Sequence, residues 1–199
     1  IAHMKLRKKF DVVFSIGVVH HTDDPETTVQ NLVEHTKPGG KLILWIYSKE
    51  GNFLSEYLLN VVVPYEISMF LFRSQSESLN TVTNISSQYG IVAANKNLYK
   101  NFIHESAIQY GVAKAALNHL TKELAVRFID KNVRVNCVAY GGVDGRASDE
   151  FKKRYAKLSP GKRMLSESEI VGPVEMLISK SNSAINGQTI IADGGWTLW

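Results

Sequence analysis

Tyr110 and Lys114 stand four residues apart in the stretch QYGVAK, just ahead of the apolar run AALNHLTKELAVRF. On a helix, positions i and i+4 share a face, so phenol and ammonium would lie side by side. The pair could transfer a proton, or it could be two residues one turn apart on a packed helix. Spacing alone leaves both open. Other residues invite chemical readings too. His20-His21 suggests a metal or a general base, yet neighbours on a strand point to opposite faces, and no metal site is expected. Asp23, Asp24 and Glu26 read better as acids at a helix start, favoured by the macrodipole, than as a catalytic cluster. Ser86 and Ser87 of NISS could be a strand end or could face a substrate.

The bulk properties narrow the classes. At 199 residues the chain suits one well-buried domain better than two. Its 44% apolar and 21% charged residues are globular in balance. The charge of +4 is scattered apart from KLRKK at residues 5–9, so no nucleic-acid partner is expected. The lone cysteine, Cys137, excludes an internal disulfide and reads as strand packing, and no Cys/His cluster has zinc spacing. No apolar run reaches spanning length, so a cytoplasmic protein without a membrane partner is expected.

The elements that must position these side chains alternate. FDVVFSI (10–16) and KLILWIY (41–47) read as strands around a helix at 23–36, with Asp24 as N-cap and Pro25 at N1. Pro38-Gly39-Gly40 reads as a tight turn into the second strand, and the unit as a parallel strand–helix–strand. Residues 48–80 read as two helices meeting at Pro64. TVTNISS (81–87) is a strand, followed by an irregular stretch and a helix at about 107–129 with a stripe of Ala113, Ala116 or Leu117, Leu120, Leu124 and Phe128. VRVNCVAY (133–140) is a strand and GGVDGRAS a loop. Ser166 to Glu169 has capping-box form before a helix at about 167–179, kinked at Pro173, and QTIIADGG (188–195) is the last strand. Alternation of this kind predicts an α/β, Rossmann-like three-layer domain with a mostly parallel sheet.

Two resemblances divide the chain. NISSQYG (84–90), YGVAK (110–114), KNVRVNCVAYGGV (131–143), SPGKRM (159–164) and INGQTIIADGGW (185–196) make it similar to the C-terminal half of the short-chain dehydrogenase/reductases, over about residues 66–199. The long stretch before the tyrosine resembles a branch found in surface-sugar biosynthesis clusters. By contrast FDVVFSIGVVHHTDDPETTVQNLVEHTKPGGKLILWIYSKEGNF resembles the middle of a class I S-adenosylmethionine-dependent methyltransferase, over about residues 10–60. The expected organisation is therefore a segment 1–64 and a segment 65–199, two incomplete halves packed as one domain.

The dehydrogenase resemblance implies roles. Tyr110 would be the general acid/base, and Lys114 would assist it and hold cofactor ribose hydroxyls. A tyrosine hydroxyl titrates near ~10 when unperturbed, and a neighbouring ammonium favours its ionised form. Ser87 would hydrogen-bond the substrate oxygen. Tyr140, Gly141, Gly142 and Val143, in the loop that lies by the nicotinamide in the family, are further expected cofactor-binding positions. The cofactor would be NAD or NADP, and the substrate a small carbonyl or alcohol compound.

Three departures from the family pattern weigh on this. The glycine-rich turn that cradles a dinucleotide diphosphate at a helix N-terminus is missing, for Gly17 stands alone and Gly39-Gly40 precedes its strand. Tyr65 or Glu66 occupies the approximate place of the catalytic asparagine. Tyr140 stands where a proline usually precedes the glycine. The methyltransferase segment likewise lacks its glycine loop and ribose-holding acid, so S-adenosylmethionine is not expected as a ligand. An oxidoreductase of impaired activity, a non-catalytic recombination product and a methyltransferase are the readings left. Apolar VVV (61–63) and FLF (70–72) need cover, which predicts a homo-oligomer. Light scattering at high concentration checks this, and a lone monomer would refute it.

Overall fold

The computed structural model describes residues 8–16, 22–45, 80–106, 108–145 and 147–198. The readings made above for Gly17, His20-His21, the helices of 48–79, Tyr65, Glu66, VVV and FLF lie outside the described residues.

The N-terminal unit has β1 (Phe10–Ile16), α1 (Pro25–Glu34) and β2 (Thr36–Trp45). Asp24 caps α1, its carboxylate accepting the Thr27 N–H at 2.9 Å, and Pro25 follows where its missing N–H costs nothing. Val29 and Leu32, with Thr28, turn the buried face of α1 inward. β1 and β2 pair in parallel, as a strand–helix–strand crossover requires. The register steps from Phe10–Thr36 to Val12–Lys41. Pro38-Gly39-Gly40 is thus an irregularity inside β2, and not a turn ahead of it. The ladder accepts the extra residues as a bulge because proline lacks a donor and glycine tolerates the bend.

The C-terminal unit has β3 (Thr81–Ser87), α2 (Phe102–Glu105), α3 (Ile108–Arg127), β4 (Arg134–Tyr140), α4 (Asp149–Leu158), α5 (Val171–Ile178) and β5 (Thr189–Ala192). Its three strands are parallel in the order β3-β4-β5. β4 is buried along both faces, as a central parallel strand should be. Side chains alternate across it: Val135 packs with Leu124, Ala125 and Phe128 of the α3 side, while Val138 and Tyr140 pack with Leu165 and Leu177 of the α5 side. Helix, sheet and helix make the three layers. Among the described residues the five strands form two ladders, β1-β2 and β3-β4-β5, with β2 running beside β3.

Polar side chains of β4 fix the connection to β5. Asn136, fully buried, donates to Ile185 O at 2.8 Å and accepts from Gln188 N at 3.0 Å. Arg134 donates to the carbonyls of Ser179, Asn182 and Ile185. Asn132 ends the turn after α3 at φ 55°, a left-handed conformation that asparagine tolerates.

Three further differences from the sequence expectations have physical causes. α4 was not expected, although Ser148 caps it, accepting the Phe151 N–H at 3.3 Å, with Asp149 and Glu150 in its first turn. The capping box of Ser166 and Glu169 closes a 3₁₀ turn (Glu167–Ile170), and α5 starts afresh at Val171. Pro173 consequently lies in the first turn of α5, where no internal bond is lost and no kink is needed. β5 ends at Ala192 because Gly194 (φ 66°) and Gly195 (φ 87°) turn the chain out of the sheet. Among the described residues no helix is long and apolar enough to cross a membrane.

Phe128, with no exposed surface at the centre of the α3–β4 cluster, tests this core. Phe128→Ala is expected to cost about 3–5 kcal/mol in denaturant unfolding, by lost burial and the cavity left behind.

Candidate active site

Parallel strands deliver their C-terminal ends to one edge. Ser87, Tyr140 and Ala192 are register partners in a single row across β3, β4 and β5. The segments that leave this row are the turn at Gln88–Gly90, the loop Gly141–Val143 and the turn Asp193–Gly195. In open α/β sheets this edge is where ligands bind.

Helix α3 lies directly on the first of these segments. A Cβ on Gly90 would stand 2.8 Å from the Lys114 carbonyl carbon, and one on Gly111 would stand 3.0 Å from Tyr89 O. The two glycines let backbone meet backbone, which places the start of α3 beside the end of β3. Tyr110 then meets Tyr89 edge to face, with ring centroids 6.4 Å apart and an interplanar angle of 83°. Lys114 is 7% exposed, and its ammonium donates to Ile85 O at 3.0 Å while lying 5.6 Å from the Tyr110 ring centroid. A buried ammonium needs such a partner, since an unpaired one would be very costly. Ser86 Oγ donates to Lys114 O at 3.2 Å, and Asn84 to Thr121 Oγ1 at 2.9 Å, so β3 and α3 are joined along their length.

Ser87 is buried at the strand end, and its Oγ accepts the Tyr89 N–H at 3.2 Å. That leaves the hydroxyl's own proton to donate elsewhere. Tyr89 and Tyr99 hydroxyls lie 2.7 Å apart. Burial pushes both phenols up, Tyr89 far above the ordinary tyrosine range, so both remain neutral hydroxyls.

The four positions after β4 have distinct surroundings. Tyr140 is buried among Val138, Leu165 and Leu177, and its hydroxyl donates to Ile170 O at the start of α5. Burial raises its phenol to about 12. Gly141 lets β4 approach β5, for a Cβ there would stand 2.8 Å from Asp193 Cα. A Cβ on Gly142 would stand 2.8 Å from the Tyr155 ring. Val143 forms an isolated parallel bridge with Leu165, flanked by Leu165 N to Gly142 O (2.8 Å) and Asp144 N to Leu165 O (2.7 Å).

The structure thus sets Tyr110 and Lys114 of α3 against the end of β3, of which Ser87 is the last residue, and Gly141–Val143 on the neighbouring strand end. Sequence reasoning missed Gln88, Tyr155, Asp193 and Trp196. Asp193 accepts the backbone N–H groups of Gly195 and Thr197, each at 2.8 Å, and so holds the last turn. DGGW carried that signal, as an Asx turn followed by glycines. Nothing in the sequence paired Gln88 with Tyr155.

A cavity of about 520 Å³ opens at the β5 end of the same edge, with Arg163, Leu165, Glu169, Ala192 and Asp193 in its wall. Ser87, Tyr110 and Lys114 do not line it, so volume lies at the β5 end of the edge and the reactive side-chain types at the β3 end, which they favour as the reacting centre. On its rim Glu169 takes a bidentate grip from Arg163, at 2.6 and 2.7 Å, and accepts from Ser166 N at 2.8 Å. The Arg163 hydrogen bonds, with those of Ser166, hold its carboxyl down to about 2.

A family model described as enoyl-(acyl carrier protein) reductase matches residues 79–197, more than half of the chain, and one described as methyltransferase domain matches residues 2–42. Post-translational flagellin modification protein A of Campylobacter coli is 34% identical over 124 residues, 62% of this chain and 48% of that protein. Dehydrogenase/reductase SDR family member 6 of Rattus norvegicus is 28% identical over 202 residues, 96% of this chain and 71% of that protein. A short-chain dehydrogenase of Leptospira borgpetersenii, crystallised with bound NAD+, superposes with a TM-score of 0.68 at 30% identity, covering 75% of this chain and 57% of that one. A 4-hydroxyisoleucine dehydrogenase complexed with NADH and succinate superposes with a TM-score of 0.69 at 22% identity, covering 94% and 89%. The chain belongs to the short-chain dehydrogenase/reductase family. It spans about half the length of the flagellin modification protein.

The Glu169 grip is measurable. A carboxylate held low contributes stability above its unfolded value, near 4.5, and that contribution fades as pH falls toward about 2. In a carbon-detected NMR titration Arg163→Ala is expected to move the Glu169 midpoint upward toward the ordinary range, and an unmoved midpoint would show that Ser166 alone sets it.

Proposed function

We propose that this chain carries the reacting end of an NAD(P)-dependent oxidoreductase acting on a small carbonyl or alcohol substrate. The observation that carries the reading is a buried lysine ammonium held beside a half-buried tyrosine where α3 meets the end of β3, the strand that closes on buried Ser87. Their donor chemistry fits the nicotinamide end of such a cofactor: an ammonium and hydroxyls suit ribose hydroxyls and a carbonyl oxygen. NAD+, NADH and NADP accompany related folds in crystals. The nicotinamide, when bound, would supply or take the hydride.

In the reducing direction Tyr110 donates its phenolic proton to the substrate oxygen, and in the oxidising direction it takes that proton back. The Lys114 charge, 5.6 Å from the ring centroid, favours loss of the proton from the phenol. Ser87 donates its hydroxyl proton to the same substrate oxygen and stabilises charge developing there. The loop Tyr140–Val143 forms the neighbouring wall, its Gly141 packed against Asp193 and its Gly142 against Tyr155. No residue of this chain is assigned to the diphosphate, and impaired activity is the corresponding expectation. A surface-sugar link for the substrate is part of this reading, carried by the long stretch before Tyr110.

A second reading takes residues 10–60 as a methyltransferase-like segment joined to the dehydrogenase half, supported by the family match at 2–42. In that case the joined chain, divided at about 64, is a non-catalytic α/β protein.

Titration of NADH and NADPH by fluorescence, and of S-adenosylmethionine by calorimetry, separates the two. Saturable dinucleotide binding, weakened about tenfold or more by Lys114→Ala, is the expected result, and no binding of any of the three favours the second reading. In a reductase assay Tyr110→Phe is expected to reduce the rate by at least about 100-fold; an undiminished rate would remove the acid/base assignment.

A further inference from the structure

The segment that sequence reading left unassigned, α4, clasps two of the three strand ends. Arg154 Nε donates to Leu98 O at 2.6 Å, and Lys100 Nζ reaches Glu150 at 2.7 Å, so α4 is fastened to the stretch after β3. Deeper in, Tyr155 is 1% exposed and its ring stacks on Trp196, with centroids 4.3 Å apart at 21°. Its hydroxyl accepts the Gly142 N–H at 3.0 Å and donates to Gln88 Oε1 at 2.9 Å. Gln88 is itself 3% exposed and directly follows Ser87.

This single oxygen therefore closes a bridge between the turn that begins at Ser87 and the glycine loop that follows β4. Tyr155 and Gln88 are buried and Gly142 is half-buried, so removing the hydroxyl would take a partner from both the Gly142 N–H and Gln88 Oε1, at the cost that an unmade hydrogen bond carries in such surroundings. Burial also pushes the Tyr155 phenol up, keeping it the neutral donor that Gln88 needs. The bridge is enforced from below by Trp196 and Met164 and from above by the absence of a side chain at Gly142, whose Cβ would fall 2.8 Å from the Tyr155 ring and 3.0 Å from Met164 Cε.

We propose that Tyr155 is a positioning residue: through Gly142 and Gln88 it sets the spacing between the wall that would face the nicotinamide and the serine that would hold the substrate oxygen. This rests on the function proposed above. Its action is indirect, through backbone and amide groups, and needs the hydroxyl and not only the ring.

Tyr155→Phe keeps the ring on Trp196 and removes the one oxygen. In the full chain, NADPH binding is expected to weaken about tenfold, with Gln88→Leu weakening it similarly and the double variant little more than either, because one bridge is lost in each. A Tyr155→Phe variant that binds NADPH as tightly as wild type would overturn the proposal. If wild type binds no dinucleotide, the functional reading fails, and the bridge is then read by amide hydrogen exchange. There Tyr155→Phe should speed exchange at Gly142 and Tyr89 by about tenfold relative to Val138 in the middle of β4. Uniform acceleration at all three would mark a merely structural role, and unchanged exchange would show that the hydroxyl positions nothing; either overturns the proposal.

Discussion

Lys114 sits in the interior of the domain with 7% of its surface exposed, on a helix otherwise packed through alanines, leucines and a threonine. An ammonium cannot stay there without acceptors, and the Ile85 carbonyl at the end of β3 provides one. For that carbonyl to be within 3.0 Å, α3 must come down onto the strand end with almost no space between, and Gly90 and Gly111 are what permit it. The same close approach sets Tyr110 against Tyr89 and brings Ser86 to the Lys114 carbonyl. Remove the contact and the strand end, the helix start and the two tyrosines lose their common reference.

The rest of the C-terminal unit holds this edge from the other direction. β4 is pinned by Arg134 and Asn136 to the chain entering β5, which fixes the register that aligns Ser87, Tyr140 and Ala192. Tyr140 shows what the departure from the family's proline does locally: its ring fills the α5 side of the core and its hydroxyl ties β4 to the start of α5. A position that could have crowded the site is instead buried among apolar neighbours. The family match over 79–197 covers this unit, while the N-terminal strand–helix–strand, matched at 2–42 by a methyltransferase model, is built on the same parallel crossover.

Much of the fold was legible. β1 and β3 follow their apolar runs to the residue, α1 begins where Asp24 and Pro25 say it should, and Leu117, Leu124 and Phe128 form the buried stripe expected of α3. Local chemistry acts over a few residues, so it can be read from a few residues. What failed had causes beyond that range. α4 is too polar to announce itself by an apolar stripe: of its ten residues only Tyr155 is buried, and its place is set by Leu98, Lys100 and Trp196. Pro38-Gly39-Gly40 has a turn's composition and lies within β2 because its ladder partner tolerates a bulge.

The sequence by itself determined the α/β class, the parallel order of strand and helix, and the residue types of a proton-transferring site, since periodicity, caps and the Tyr110–Lys114 spacing are local properties of the chain. Only the tertiary structure decided that Lys114 binds Ile85, that Tyr140 packs under α5, and that Tyr155 joins Gly142 to Gln88. In the last case Tyr155 and Gln88 stand 67 residues apart along the chain. Hydrogen bonds between distant segments depend on how three layers settle against one another, and no short window of sequence contains that.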